Sequence, residues 1–194
     1  MTQTTKNILI VGVGGQGTLM TSRILARVAV NMGYDVKATE VHGMAQRGGS
    51  VISEVRYGEK IYSPVIKKGD VDVLLAFEKL EAARWIPYLK PGGKVIINDV
   101  RVDPLPVMTG KAKYPDDIAQ HIAELIPDTT IVDATDMAVA CGSAKAANVV
   151  LVGMLAGALD IPGEEVEKAV REMVPAKALD TNIKAYRRGV ELCK

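Results

Sequence analysis

The strongest constraint on this chain lies near its start. Asn7–Gly12 (NILIVG) is an apolar run that passes directly into Gly12-Val13-Gly14-Gly15-Gln16-Gly17 and then into a helical pattern. A short apolar run ending in glycines marks a strand buried on both faces of a sheet. From Gln16 to Met32, the residues Leu19, Ile24, Leu25, Val28 and Met32 recur at helical spacing, and Gly33 closes the helix. Tyr34–Val41 reads as a second strand. The first fifty residues thus predict a βαβ unit with a right-handed crossover.

Beyond it, His42–Gly49 is a glycine-bearing loop without periodicity. Val51–Tyr57 and Lys60–Ser63 read as a hairpin turning at Gly58-Glu59. Val71–Phe77 is an apolar strand, and Glu78–Leu89 a helix closed by Pro91-Gly92-Gly93. Lys94–Asp99 is another buried strand, followed by an irregular stretch with Pro104 and Pro106. Pro115 suits the first turn of a helix reaching Ile126. Thr129–Asp133 is a last strand. Asp136–Leu159 is helical with a break near Gly142, and Gly163–Val174 and Ala178–Leu192 are two further helices. Alternating strands and helices predict an α/β, Rossmann-like three-layer fold with a mainly parallel sheet and a β-hairpin insertion. One domain is expected over residues 1–194.

Composition narrows the function. Lys and Arg number 24 against 23 Asp and Glu, so no basic footprint for nucleic acid exists. Cys141 and Cys193 stand 52 positions apart without a CxxC, which supports neither a zinc site nor an iron–sulfur cluster. The longest uncharged apolar segment, Ala146–Leu159, is 14 residues, too short for a membrane span and right for a buried helix. The amino terminus lacks the pattern of a signal peptide, so the chain is expected in the cytoplasm, with no membrane partner.

The glycine-rich turn sits where a GxGxxG motif must sit, between a strand and a helix. Gly12, Gly14, Gly15 and Gly17, with Gln16, would let backbone approach a phosphate at the helix amino end. Glu40 ends the second strand, near where a ribose-binding acid would lie. This points to a nucleotide or pyrophosphate, either NAD or the nucleotide part of coenzyme A. Equally, the glycines can serve only close packing of strand on helix. Nothing downstream resembles a hydride-transfer site.

The loop after the second strand concentrates chemistry: His42, Met44, Gln46, Arg47, Gly48, Gly49 and Ser50 lie at the carboxyl end of a strand. Ligands and partners meet open α/β sheets at that edge. Arg47 can hold a carboxylate or phosphate with two parallel hydrogen bonds, and Met44 can pack adaptably against a partner. His42 can exchange a proton, though a lone histidine is more often structural. The plain alternative is a connector whose polar groups satisfy its own backbone.

Together, GVGGQGTLMTSRILA and EVHGMAQRGGSVISEVRYG resemble the small subunits of 2-oxoacid:ferredoxin oxidoreductases, and within them the indolepyruvate branch. The resemblance continues through Asp72–Phe77, Lys94–Asp99 and Asn148–Gly153. It implies a gamma-type subunit that supports oxidative decarboxylation of aryl pyruvates with coenzyme A and ferredoxin. It also implies that thiamine diphosphate, magnesium and 4Fe-4S clusters reside in a large alpha subunit, with none tightly bound here. Ferredoxin would be met through the holoenzyme, coenzyme A contact with this chain is possible within that scheme, and the isolated chain is expected to be inactive. The sequence agrees by omission, since it has no GDG stretch followed by paired asparagines and no ferredoxin-type cysteine run.

Late in the chain, Cys141 to Asn148 and on to Gly157 is rich in small residues. Gly153 and Gly157 share a helical face, which permits close helix packing. Asn148 and Lys145 can face a subunit contact, or the helix can simply be a tightly packed core element in which a buried Asn148 needs a hydrogen-bond partner.

Overall fold

The computed structural model describes residues 5–42 and 48–192, except for the His42 side chain. In chain order it contains β1 (Lys6–Val13), α1 (Thr18–Asn31), β2 (Asp35–His42), β3 (Ser50–Gly58), β4 (Val71–Ala76), α2 (Lys79–Trp85) and β5 (Leu89–Asn98). There follow α3 (Leu105–Met108), α4 (Ile118–Leu125), β6 (Thr129–Val132), α5 (Ala134–Ala140), α6 (Ala147–Ala158), α7 (Gly163–Met173) and α8 (Leu179–Glu191).

The described strands form one sheet of order β2-β3-β1-β4-β5-β6. β1, β4, β5 and β6 are parallel neighbours, while β3 runs antiparallel to both β1 and β2. The sheet is therefore mixed, with β3 the reversed strand. Side chains alternate across it. On one face Ile8 and Ile10 of β1, with Val55 of β3 and Leu75 of β4, pack under α1 and α6. On the other, Leu9 and Val11 join Leu74 and Ile97 against Ala82 of α2 and Ile122 of α4. Helices thus cover both faces, which is why β1 and β4 read as unbroken apolar runs.

Two expectations are corrected. β2 is not β1's neighbour, because β3 inserts between them and splits the βαβ unit. The hairpin is β2–β3, with Asp35 opposite Gly58 and His42 opposite Val51, whereas residues 60–63 form no strand. Gly58-Glu59 ends a strand without returning it, since ladder hydrogen bonds to β2 and β1 already occupy both edges of β3. Smaller differences concern ends. α2 stops at Trp85 and passes through a 3₁₀ turn at Ile86–Tyr88 into a β5 that starts at Leu89. α4 starts at Ile118, beyond Pro115, behind Asp117 in the left-handed region. The break near Gly142 is present, where φ is +112°.

α6 is apolar all round, with every residue from Val149 to Ala156 buried, as suits a helix packed between sheet and other helices. α7 and α8 are amphipathic and joined at their surface by Arg187, whose guanidinium bonds both oxygens of Glu167 at 2.8 and 3.2 Å. That contact holds the Glu167 carboxyl below the usual carboxylate range.

Tyr57, one residue before the end of β3, has its ring against Tyr34, centroids 5.3 Å apart. Burial, reinforced by the charges of Tyr34 and Asp72, pushes its phenol from 10.0 up to about 12. The folded state therefore keeps the proton over a range where the unfolded chain has lost it. Its contribution is fully present below pH 10 and disappears as pH rises through the folded value, an effect of about 2–3 kcal/mol. Tyr57→Phe should accordingly flatten the loss of stability between pH 10 and about 12 in denaturant titrations. An unchanged alkaline profile would assign that loss to other groups.

Candidate functional site

β1, β2 and β4 all point their carboxyl ends to one edge of the sheet. From there α1 leaves β1 for one face and α2 leaves β4 for the other, so the chain diverges between β1 and β4. That is where open α/β sheets place their ligands. The glycine turn occupies this point and stands as a ridge between two clefts.

The first cleft, about 470 Å³, is bounded by Gly14, Gly15 and Gly17, the opening turn of α1, Arg23, Glu40 and Val51. Among the described residues no side chain caps α1, whose N-cap Gly17 has φ +97°. The leading N–H groups of a helix have no partner within it, and the end carries partial positive charge. To this lining Arg23 adds a cation and Glu40 a carboxylate. The inserted β3 sets Glu40 two strands from β1, yet it still reaches the cleft that the glycines line.

The second cleft, about 460 Å³, lies between the turn and the start of α6. It is lined by Gly15, Gln16 and Gly17 of the turn, by Asn98 and Thr135, and by Lys145 and Asn148. Asn148 is half-buried and makes no side-chain hydrogen bond among the described residues, so it is a cleft residue rather than a satisfied core polar group. It also explains Gly17, because a Cβ there would stand 3.0 Å from that of Asn148.

Gln16 is spent largely inside the fold. Its Oε1 accepts from the Val13 N–H at 2.7 Å, and its Nε2 donates to the Phe77 carbonyl at 3.1 Å. The side chain thereby ties the end of β1 to the end of β4. Gly12 leaves room for it, since a Cβ would come within 2.9 Å of both Gln16 Oε1 and Phe77 Cβ. Buried Asn98 braces the same corner, accepting from the Ala134 N–H at 2.9 Å.

The returning arm of the β2–β3 loop joins this corner. The Gly14 N–H donates to the Gly49 carbonyl at 2.9 Å, and Ser50 Oγ donates to Glu81 Oε2 at 2.5 Å. Gly48 is exposed in the left-handed region at φ +81°. Met44, Gln46, Arg47 and the His42 side chain lie outside the described residues. The backbone of His42 ends β2 opposite Val51.

Two carboxylates escaped the sequence reading. Glu78 and Glu81 are 1% and 4% exposed at the start of α2. Glu78 caps the helix by accepting from the Glu81 N–H, and also accepts from the Val102 N–H and the Tyr114 hydroxyl. Burial and this bond to Glu78 raise the Tyr114 phenol well above its ordinary range. A Glu-x-x-Glu at a helix start was the available signal, but burial depends on segments far away in sequence. Among the described residues no group of three or more His, Cys, Asp or Glu converges as a metal site, and no helix is long and apolar enough to cross a membrane.

Fold and clefts define a Rossmann-like α/β domain built around a glycine turn. The chain belongs to the pyruvate ferredoxin/flavodoxin oxidoreductase family, whose profile matches residues 7–192. Indolepyruvate oxidoreductase subunit IorB of Archaeoglobus fulgidus is 44% identical over 187 residues, covering 94% of this chain and 92% of that one. The subunit of the same name from Pyrococcus horikoshii is 42% identical, covering 97% and 96%. The resemblance to the indolepyruvate branch is thereby borne out. Among solved structures, the gamma subunit of a keto/oxoacid ferredoxin oxidoreductase from Geobacter sulfurreducens superposes with TM-score 0.73 at 25% identity, covering 97% of this chain and 98% of that one. A 2-oxoglutarate:ferredoxin oxidoreductase from Magnetococcus marinus shares the fold, with TM-score 0.74 at 19% identity, over 97% of this chain and 31% of its own.

Proposed function

We propose that the chain is the beta subunit of an indolepyruvate:ferredoxin oxidoreductase acting in the cytoplasm. The holoenzyme would convert aryl pyruvates and coenzyme A to aryl-acetyl-CoA and carbon dioxide, reducing ferredoxin. Decarboxylation of a 2-oxoacid needs an electron sink that side chains do not supply and thiamine diphosphate does. That cofactor, its magnesium and the 4Fe-4S clusters are assigned to the large alpha subunit. This chain's role is to complete the partner's site, exclude water and grip coenzyme A. Phosphate groups suit the uncapped amino end of α1 and the cation of Arg23 in the first cleft, or Lys145 in the second.

The observation that carries this reading is the hydrogen bond between Gly14 and Gly49. It joins the two segments that resemble the indolepyruvate branch into one edge, in a chain 44% identical to an IorB subunit. Reconstitution tests it: the purified chain should not turn over indolepyruvate, whereas its complex with the large subunit should reduce ferredoxin or a dye with indolepyruvate and coenzyme A. Turnover by the chain alone would sink the proposal.

Stand-alone NAD(P) binding is the second reading, favoured by one observation, the shared cleft of Glu40 and the glycine turn. Tight NADH binding with turnover in the absence of any partner would select it.

Arg47→Ala should leave the thermal midpoint of the chain unchanged and lower holoenzyme turnover. A cationic fork beside Gly48 and Gly49 at the ligand edge motivates the substitution. Equal turnover of variant and wild-type complexes would remove Arg47 from the working surface.

A further inference from the structure

We infer that Glu81 is a positioning residue for the holoenzyme reaction, fixing the arm Gly48–Ser50 against the glycine turn. The inference rests on the reading of this chain as the small subunit of an oxidoreductase.

Glu81 is 4% exposed, yet among the described residues its side chain bonds only the Ser50 hydroxyl, at 2.5 Å, with Arg84 Nε more distant at 3.6 Å. Burying a carboxylate with so few partners is costly, and an apolar side chain of similar volume is often as good or better for stability. Glu78, three residues earlier, shows what a structural carboxylate does here. It accepts three hydrogen bonds, capping α2 and holding Val102 and Tyr114. The Glu81 side chain does none of this, and its backbone N–H stays in the Glu78 cap whatever side chain it carries.

What Glu81 does hold is Ser50, the first residue of β3. Ser50 pairs with Val13 of β1, the last step of that ladder. The arm is thus tied to the glycine turn by the Gly14–Gly49 hydrogen bond and to α2 by Ser50–Glu81. Release of the second tie frees Gly49 to move, and with it Gly14 and the wall of the first cleft beside Val51. Displacements of about 1 Å near reacting groups can cost about 100-fold in rate.

Three variants decide the matter in the reconstituted complex: Glu81→Met, Glu81→Gln and Ser50→Ala. Glu81→Met should melt at or above the wild-type midpoint, assemble normally, and lose roughly 10- to 100-fold in kcat with indolepyruvate. Glu81→Gln, which keeps an acceptor for Ser50, should recover most of that loss. Ser50→Ala should match Glu81→Met, and the double variant should add nothing further. Amide exchange of Gly49 and Ser50 should quicken in Glu81→Met while Ile8 and Ile10 of β1 stay protected. Turnover equal to wild type in a folded Glu81→Met complex overturns the positioning role and leaves the subunit assignment standing. A fall in melting midpoint equal in all three variants overturns it in favour of a purely structural carboxylate. Absence of turnover in the wild-type complex overturns the assignment itself, and the inference with it.

Discussion

Gly189→Ala should lower the thermal midpoint by roughly 6–12 °C, or leave no folded chain to measure. A Cβ at Gly189 would lie 2.0 Å from the Val150 carbonyl oxygen, and one at Gly153 would lie 2.3 Å from that of Tyr186. The obstacles are backbone atoms, which no rotamer change can move. α6 and α8 would have to separate, and α6 also packs on α1, α5 and the sheet. Overpacking in a tight core costs about 1–3 kcal/mol, and rigid backbone places this site at or above the upper end. A chain of this size loses roughly 2–4 °C per kcal/mol. Gly163→Ala is the control, because a Cβ there meets only the Tyr186 hydroxyl, at 3.2 Å. Calorimetric scans in which both variants shift alike would refute backbone contact as the cause.

Gln16→Ala should cost about 2–3 kcal/mol and lower turnover of the reconstituted complex. The substitution strips the acceptor from the N–H of Val13, a residue only 8% exposed, and one donor from the Phe77 carbonyl. An orphaned buried N–H costs about 1–3 kcal/mol, more than the hydrogen bond was worth in net terms. The damage reaches both sides because Gln16 underlies the ridge that separates the clefts. In the reconstituted complex turnover should fall together with stability, unlike Glu81→Met, where only turnover falls. Amide exchange at Val13 gives the direct check, and protection equal to wild type would show that water or a neighbour replaces the amide.

Local pattern was legible where physics is local. The apolar run of β1, the helical spacing of α1 and the glycine turn between them were evident from residues 7–33. So was the break at Gly142, where φ of +112° suits glycine. The hairpin was misplaced by one element, because Lys60–Ser63 looks locally like a return strand while β3 finds partners at Lys37 and Leu9. Strand pairing is a contest between segments distant in sequence, and residue spacing does not referee it. Much of the site was likewise legible as residues but not as roles. Gln16 stood out in the motif, yet its commitment to Phe77, 61 residues on, was hidden. Glu81 drew no notice at all, since a glutamate at a helix start is ordinary until it is buried.

By itself the sequence determined the α/β class, the turn with its glycines and the family, because period, turn chemistry and motif are written in neighbouring residues. Only the tertiary structure decided that β3 divides β1 from β2, that two clefts flank one turn, and that Ser50 leans on Glu81. Those outcomes depend on which surfaces exclude water from one another, and that is settled between segments, not within them.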